Sequence, residues 1–384
     1  MSGQKLLSKK ISHRIPKICH IITGLERGGA ERFLFNLLTA GDLSKKTNNM
    51  VISLMSGGYY GPLLKEHNIP LTCLNMNRGQ INIGSVVKLK QIINNQKPDI
   101  IQGWMYHGNL AALLGTFITK KKTKLSWNIR LSLEIFSQMK LKTRLVIKLG
   151  AMLSKRANLI IYNSTRSLNQ HRKLGFSSSN DYFIPNGFDI KKWKPNKNLK
   201  YKIRNSLNIA YNAKVIGYVG RGERQKDLPK LFKVFDIIKK KHPNVILIAV
   251  GKNLEKYASN SDRIIFLGER SNVQEIMTSF DLLCLTSKAE GFPNVIGEAM
   301  LSALPCISTD VGDTKNILGK TGWIVPTNST TLFAKYLDNL LKMPEKELKK
   351  YGKSARELII NNYDINKIRG QYISLYNSIL NKVD

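Results

Sequence analysis

The sequence predicts an α/β protein of two Rossmann-like domains that face each other across a central cleft. Its 384 residues are long for a single domain. Short runs rich in β-branched residues alternate with longer amphipathic segments, which is typical of a parallel sheet covered by helices. This rhythm restarts after residue 190. Because open α/β sheets bind ligands at the carboxyl ends of their strands, two such sheets predict a shared cleft.

Ten strands are predicted in two series of five. The first series is KICHIIT (17–23), NMVISLM (49–55), PDIIQGW (98–104), KLSWNI (124–129) and ANLIIYNS (157–164). The second series is VIGYVG (215–220), VILIAVG (245–251), RIIFLG (263–268), DLLCLTS (281–287) and PCISTD (305–310). Helical patterns lie between them, for example at 30–40 and 85–96.

The domain boundary is predicted within IPNGFDIKKWKPNKNLKYK (184–202), whose Pro, Asn, Gly and Lys content is typical of a connection. We therefore assign 1–187 to an N-terminal Rossmann-like domain and 188–362 to a C-terminal Rossmann-like domain. The segment 365–383 reads as one amphipathic helix. The tail, 363–384, is expected to pack back toward the N-terminal domain.

The net charge is +35 and is unevenly distributed. Residues 1–180 contain 28 basic and 6 acidic side chains, and residues 181–384 contain 33 and 20. So strong a positive field implies an anionic partner. Nucleic acid, an anionic membrane surface and a phosphorylated substrate all qualify on charge alone.

Cysteine usage and hydropathy favour a cytosolic protein, soluble or peripheral to a membrane. The four cysteines stand singly in apolar surroundings without a CxxC motif, so we expect reduced core residues. The basic N-terminal segment lacks the apolar core of a signal peptide. The longest apolar run, LAALLGTFI (110–118), is too short to cross a bilayer.

Two glycine-containing loops follow predicted strands. In GLERGGAERF (24–33), Gly28 and Gly29 would let backbone amides approach an anion at a helix N-terminus, although a tight turn explains them equally well. In YVGRGERQKDLPKL (218–231), the dinucleotide and Walker patterns both fail. Arg221 and Lys226 remain there as a planar fork and a point charge suited to a diphosphate, with two solvated cations as the alternative.

The stretch KAEGFPNVIGEAM (288–300) places two glutamates around a predicted helix start. Pro293 suits the first position of a helix, and amides from about Phe292 to Val295 would be free to bind an anion. Glu290 precedes the helix, whereas Glu298 lies about 6 Å further along its axis. The two carboxylates are therefore expected to bind different parts of one elongated ligand, such as the hydroxyls of a sugar and a ribose. For Glu298 the alternative is an ion pair with a nearby Lys or Arg.

His107 and Arg130 follow two strands of the first series, in QGWMYHGNLAA (102–112) and WNIRLS (127–132). Either side chain is a candidate for the cleft, and a structural role is the alternative for both.

Taken together, the motifs resemble the retaining glycosyltransferases of family 4, which have the GT-B fold, and in particular those that build bacterial surface polysaccharides. The matching stretches run in the family's order: GGAER (28–32), the His107 loop, SWNIR (126–130), IPNGFD (184–189), GR followed by KD (220–227), EGFPNVIGEAM (290–300) and TDVGD (309–313). One departure is Asn316, where many relatives carry an acidic residue.

The resemblance implies that the N-terminal domain, 1–187, binds the acceptor and that the C-terminal domain, 188–362, binds the nucleotide sugar. It also implies a role for each candidate residue. Arg221 and Lys226 would bind the donor diphosphate, and Glu298 the ribose. Glu290 and His107 would contact the transferred sugar, and both count with the two cations as catalytic candidates. Donor binding would be completed by backbone approach at Gly28 and Gly29 and by amides of Phe292, Asn294 and Val295. Arg130 and His107 are the acceptor-side candidates. The resemblance further implies a reaction without metal or other cofactor, a nucleotide sugar being the co-substrate.

Excess charge in the first half suggests how the acceptor is reached. Between Ile135 and Asn180 there are nine Lys or Arg residues and no acidic residue, with 136–156 amphipathic, and KKKTK (120–124) adds another cluster. We expect docking onto the anionic inner face of the cytoplasmic membrane and transfer to a lipid-linked glycan of a capsule, O-antigen or lipopolysaccharide. A solvated helix face is the alternative to docking.

A GT-B epimerase or phosphorylase is the rival activity. A nucleic-acid-binding protein would need a recognition element or aromatic platform that the sequence lacks.

Overall fold

The computed structural model describes residues 15–40, 46–77, 82–177, 180–258 and 262–381. Expectations about the N-terminal segment 1–14 lie outside these residues. Within them the chain forms two parallel sheets of seven and six strands. The strands of the first sheet are β1 (Lys17–Ile22), β2 (Asn48–Ser53), β3 (Leu71–Cys73), β4 (Ile100–Trp104), β5 (Lys124–Ile129), β6 (Leu159–Tyr162) and β7 (Asp181–Phe183). Those of the second are β8 (Lys214–Val219), β9 (Val245–Val250), β10 (Ile264–Gly268), β11 (Leu282–Leu285), β12 (Cys306–Thr309) and β13 (Trp323–Val325).

Helices connect and cover the strands of both sheets. Around the first sheet they are α1 (Gly29–Thr39), α2 (Tyr60–Glu66), α3 (Ile83–Gln96), α4 (Met105–Ile118), α5 (Leu141–Leu153) and α6 (Thr165–Lys173). Then follow α7 (Lys197–Ser206), α8 (Leu228–Lys241), α9 (Val273–Met277), α10 (Asn294–Leu301), α11 (Thr314–Leu318), α12 (Thr330–Lys342), α13 (Glu345–Asn362) and α14 (Ile365–Asn381). Short 3-10 turns lie at 136–138, 154–156, 224–226 and 255–257.

The strand orders are β3-β2-β1-β4-β5-β6-β7 and β10-β9-β8-β11-β12-β13. Each order reverses at its middle, between β1 and β4 in the first sheet and between β8 and β11 in the second. The carboxyl ends of strands at such a switch point form the crevice where ligands bind in open α/β sheets. Gly28, His107, Lys226 and Glu290 lie in the segments that follow these four strands, with one of these residues after each strand.

All ten predicted strands are present, and the three that the sequence analysis missed share one property. β3, β7 and β13 have three residues each and lie at the ends of their sheets. Three residues are too few to display a strand period. The central strands were easier to predict because helices cover both faces, so their residues are apolar on both sides. In β1, for example, Ile18 and Ile22 pack on one face and Cys19 and Ile21 on the other.

The predicted connection 184–202 is shorter in the structure. Residues from 197 form α7, and the side chain of Asn196 caps it by accepting a hydrogen bond from the Leu199 N–H. The sequence analysis missed this helix because its Lys- and Asn-rich composition is typical of a loop. At the start of the connection, the Phe188 N–H donates to the Tyr363 carbonyl (2.8 Å) and the Ile365 N–H donates to the Phe188 carbonyl (3.0 Å). The chain therefore enters and leaves the second domain at adjacent points.

Helix α14 then packs in the hydrophobic core of the first domain. Ile368, Tyr372 and Tyr376 are buried against residues of β1, α1 and β4. The Tyr376 hydroxyl donates to Gln102 (2.7 Å), and the Tyr372 hydroxyl accepts from Asn128 (2.8 Å). The last helix is thus part of the first domain's core.

All four cysteines are free thiols, three of them buried and Cys73 half-buried. In the parts of the chain that the structure covers, we find no helix with the length and hydrophobicity needed to cross a bilayer.

Candidate functional site

The predicted motifs meet where the carboxyl edges of the two sheets face each other. Arg32 in α1 forms an ion pair with Glu298 in α10, and Arg27 lies 3.3 Å from Glu269. A Cβ atom added to Gly29 would stand 3.6 Å from the side-chain Nδ2 atom of Asn294. These contacts join the first domain to the second across the cleft. The GLERGGAERF loop (24–33) and the KAEGFPNVIGEAM stretch (288–300) therefore form one site.

Glu290 is held in the loop between β11 and α10 by two donors. Its Oε1 atom lies 2.6 Å from Lys226 Nζ and accepts a hydrogen bond from Ser287 Oγ at 2.7 Å. The residue is 8% exposed. Oε2 has no side-chain partner in the described part of the chain. One carboxylate oxygen is therefore fixed, and the other is free to accept a hydrogen bond from a ligand hydroxyl.

Glu298 lies in the second turn of α10, which begins at Asn294 directly after Pro293. Its carboxylate is buried and paired with the Arg32 guanidinium from the facing domain. Burial raises the pKa of Glu298, while Arg32 and Lys192 oppose that rise. The ion pair that the sequence analysis kept as an alternative is therefore present. A ribose hydroxyl that binds here has to share the Glu298 carboxylate with Arg32 or displace Arg32 from it.

Arg32 was not selected from the sequence, although it ends the GGAER motif. Its partner is distant in sequence, and only the packing of the two domains brings them together.

The two cations of the second loop each have a carboxylate neighbour. Arg221 Nη2 lies 3.1 Å from Glu223 Oε1, and the Arg221 side chain is half exposed. Lys226 is mostly buried and directed to Glu290. Both belong to the loop between β8 and α8, so they line the second domain's side of the cleft.

Two helix N-termini converge on the space between these groups. Gly28 is the N-cap of α1, and Pro293 is the N-cap of α10. The first amides of a helix lack intrahelical partners and carry the positive end of the helix dipole. The side chains of Phe292 and Val295 are buried in the hydrophobic core of the second domain, so any ligand contact there is made by their backbone. At α1 the Glu31 carboxylate already lies against Gly28, so a ligand anion between the two helices would share the α1 amides with it.

His107 is exposed in the first turn of α4. The preceding Met105 has φ +61°, a left-handed conformation that is uncommon outside glycine. This sharp turn joins β4 directly to α4 and leaves His107 at the carboxyl edge of the first sheet, where the sequence predicted it.

Arg130 was predicted as an acceptor-side candidate in the cleft, but its side chain is buried. Its guanidinium is buried, donating to Asn128 (3.1 Å), to the Tyr372 hydroxyl (3.3 Å) and to Asn186. It also lies over the Phe33 ring, 3.8 Å from the centroid. Burial lowers its pKa. These contacts make Arg130 part of the packing between β5, α1 and α14, which does not favour direct contact with an acceptor.

Arg130 nevertheless connects to the donor side of the site. Asn186, which accepts from Arg130, donates through Nδ2 to the Asn294 side chain. Asn186 belongs to the IPNGFD motif and was not selected as a site residue. The chain of contacts orients Asn294 at the start of α10.

Glu134 is a further residue that the sequence analysis missed. One carboxylate oxygen accepts from the Gly312 N–H (2.7 Å), and the other accepts from the Glu290 N–H (3.3 Å). Arg166 lies 3.3 Å from the same carboxylate. A first-domain side chain thus holds the backbone of the Glu290 loop. The only available signal was its isolation, because it is the sole acidic residue between 100 and 180.

Within the described ranges, no group of three or more His, Cys, Asp or Glu side chains is arranged to hold a metal ion.

Comparisons with known proteins agree with this geometry. A family model described as "Glycosyltransferase Family 4" matches residues 27–192, and one described as "Glycosyl transferases group 1" matches residues 200–358. The capsular polysaccharide biosynthesis glycosyltransferase CapM of Staphylococcus aureus is 26% identical over 320 residues, which are 78% of this chain and 82% of CapM.

A second relative is the UDP-Gal:alpha-D-GlcNAc-diphosphoundecaprenol alpha-1,3-galactosyltransferase of Escherichia coli. It is 30% identical over 213 residues, covering 50% of this chain and 54% of that enzyme. Among solved structures, Anabaena HepE in complex with UDP-glucose superposes with a TM-score of 0.83 at 22% identity, covering 94% of this chain and 100% of HepE. The two family models together match most of the chain, one in each domain, and the chain belongs to the family 4 glycosyltransferases with the GT-B fold.

Proposed function

We propose that this glycosyltransferase moves a sugar from a nucleotide-diphosphate sugar to a lipid-linked glycan in cell-envelope polysaccharide synthesis, with retention of the anomeric configuration. The observation that carries the proposal is the cleft itself. Two helix N-termini and Lys226 surround a space bordered by Glu290 and Glu298. A diphosphate with a sugar at one end and a ribose at the other matches this order of positive charges and hydrogen-bond-accepting carboxylates.

The donor's orientation follows from the two carboxylates. The free oxygen of Glu290 accepts a hydroxyl of the transferred sugar, and Glu298 accepts the ribose. His107 approaches the sugar from the first domain. Arg221 is half exposed, and its guanidinium binds the diphosphate. Lys226, now paired with Glu290, then shares its ammonium group between that carboxylate and the diphosphate.

The reaction breaks the bond between the anomeric carbon and the phosphate oxygen. It forms a bond from the same carbon to the acceptor oxygen on the same face. The departing phosphate oxygen accepts the acceptor's proton, and its developing charge is stabilised by Arg221, Lys226 and the helix N-termini. Because these groups supply the positive charge, we propose a reaction that needs no divalent metal. A transfer rate that is unchanged by EDTA supports this, and a rate abolished by EDTA and restored by Mg²⁺ contradicts it.

Helix α5 provides the surface for docking onto a membrane. The predicted amphipathic segment 136–156 contains this one α-helix, Leu141–Leu153, with a 3-10 turn on each side. Its solvent face carries an apolar stripe at helical spacing: Leu141 (67% exposed), Leu145 (56%), Leu149 (45%) and Met152 (77%).

Cations surround this stripe. Lys142, Lys148 and Lys155 are exposed beside it. Apolar residues in the headgroup region together with lysines near anionic lipid are the elements of peripheral binding, at about 1 kcal/mol per cation. We propose that α5 docks on the inner face of the cytoplasmic membrane, where a lipid-linked acceptor is presented.

The donor class is tested by a thermal-shift panel of UDP, GDP, ADP and CMP, because a ligand that binds the native state alone raises Tm. UDP is the first candidate, since the names of the E. coli relative and the HepE complex contain it. A shift with one nucleotide supports the proposal, and no shift with any of them contradicts it.

The rival activities are separated by following labelled nucleotide sugars with and without a lipid-linked acceptor. Label transferred to the acceptor supports the proposal. An epimerised donor without transfer, or phosphorolysis of a glycan, would identify an epimerase or phosphorylase using the same cleft.

A further inference from the structure

A second cavity lies beside the cleft, between α6 of the first domain and the segment 312–316 of the second. Its volume is about 420 Å³, within the range of small-molecule sites. Asn169 and Lys173 line it from α6, and Lys315 and Asn316 line it from the other side. We refer to it as the α6 groove.

The α6 groove presents cations and amide groups that are not engaged elsewhere. Lys173, Lys315 and the side chains of Asn169 and Asn316 have no ion-pair or hydrogen-bond partner within the described ranges. Lys173 and Lys315 are also exposed. Two ammonium groups facing one cavity favour an anionic ligand.

One acidic residue lines the groove against three basic ones, so the lining keeps a positive charge. Asp313 is buried and accepts hydrogen bonds from Ser164 Oγ (2.9 Å) and from the N–H groups of Thr165 (3.3 Å) and Arg166 (3.4 Å). Its carboxylate therefore caps α6. Asn316 stands where the resemblance to the family led us to expect an acidic side chain, and its neutral amide avoids repelling an anion.

One end of the groove adjoins the reaction loop. Gly312 lines the cavity, and its N–H is bonded to Glu134, whose other oxygen accepts from the Glu290 N–H. One carboxylate thus separates the groove from the loop that carries Glu290.

The opposite end of α6 lies beside helix α5. Just beyond Lys173, the buried Phe176 ring packs over the buried Gly150 of α5, where an added Cβ would lie 3.3 Å from it. The end of α6 where Lys173 lines the groove is therefore next to the core-facing side of α5.

We infer that the α6 groove is a subsite for the diphosphate that joins the acceptor's glycan to its lipid. This inference rests on the proposed function and specifies its acceptor. A lipid-linked acceptor extends from the membrane to the cleft, and its diphosphate is its most highly charged part. Lys173 and Lys315 would bind it as two point charges, with the Asn169 and Asn316 amides as hydrogen-bond donors.

The test measures binding of geranyl diphosphate, a water-soluble prenyl diphosphate, by calorimetry while saturating UDP occupies the donor site. The variant is Lys173→Ala/Lys315→Ala. The matched control is Lys335→Ala/Lys346→Ala, which removes the same charge from exposed positions on α12 and α13. We expect the groove variant to raise Kd at least about tenfold and the control to leave it unchanged, with no binding of geraniol. Equal binding by both variants, or no binding by the wild-type protein, would overturn the subsite.

Two further measurements distinguish the diphosphate subsite from membrane docking and from the proposed function. Sedimentation with anionic vesicles is expected to be the same for the groove variant and the control. A loss confined to the groove variant would assign the lysines to the membrane and overturn the subsite. In transfer assays, an unchanged acceptor KM in an active groove variant refutes the subsite alone. Lysine-dependent binding in a protein that transfers sugar to no lipid-linked acceptor refutes the proposed function alone.

Discussion

Removal of the Glu298 carboxylate tests the donor's orientation most sharply. In the structure Arg32 is paired with one oxygen of the Glu298 carboxylate, and a ribose hydroxyl would share that carboxylate or displace Arg32 from it. A hydrogen bond to a charged group contributes about 1.5–3 kcal/mol, and each 1.4 kcal/mol is a factor of ten. Glu298→Ala is therefore expected to raise the Kd for UDP by about 10–150-fold. Arg32 is partly exposed, so water can solvate its charge in the variant, and we expect the fold to survive.

Removing the ribose hydroxyls from the ligand tests the contact with Glu298 specifically. Calorimetry compares UDP with 2′,3′-dideoxy-UDP, using wild-type protein, Glu298→Ala and the exposed control Glu347→Ala. If Glu298 contacts the ribose, loss of the hydroxyls weakens binding to the wild-type protein and to the control, but has little further effect in Glu298→Ala. An equal loss of affinity for the dideoxy ligand in all three proteins would refute the contact, whatever the effect of the substitution on UDP itself.

Four further substitutions test other parts of the account. Glu290→Ala should lower kcat for transfer by at least about 100-fold while UDP affinity is retained; full activity would remove its role at the sugar. Glu134→Ala leaves two amides of the second domain without their acceptor and should lower kcat about tenfold, measured beside an unchanged far-UV spectrum; an unchanged kcat contradicts its positioning role. Gly297→Ala places a Cβ 2.2 Å from the Phe188 ring, so unfolding should show a loss of about 1–3 kcal/mol; an unshifted Tm argues against this packing. Leu145→Asp, at an exposed position on α5, should reduce sedimentation with anionic vesicles without changing Tm; undiminished sedimentation excludes the apolar stripe from docking.

The sequence was informative where one strand and its following loop contain the whole signal. The strands β1, β4, β8 and β11 were readable as apolar runs, and their carboxyl ends had to converge once the sheets were parallel. Gly28, His107, Lys226 and Glu290 were predicted at the cleft for that reason. Helix α7 was not predicted, because its Lys and Asn residues resemble a loop and its cap, Asn196, is informative only when the helix is already known.

Contacts between the domains could not be predicted in this way. Glu134 and Glu290 are 156 positions apart, and neither position predicts the other. The pairing of Arg32 with Glu298 depends on how the two sheets face each other. Arg130 was correctly placed after β5, but its burial depends on α14, which returns to the first domain from the end of the second.

The central claim is a retaining transfer from a nucleotide sugar to a lipid-linked glycan. The most direct measurement incubates the protein with UDP-linked α-sugars and a short-chain prenyl-diphosphate glycan, then determines the anomeric configuration of the product by NMR. The account predicts an extended glycan with a new α-linkage and release of UDP. A β-linked product would contradict retention, and a donor that is epimerised or left intact beside an unmodified acceptor would contradict the transfer itself.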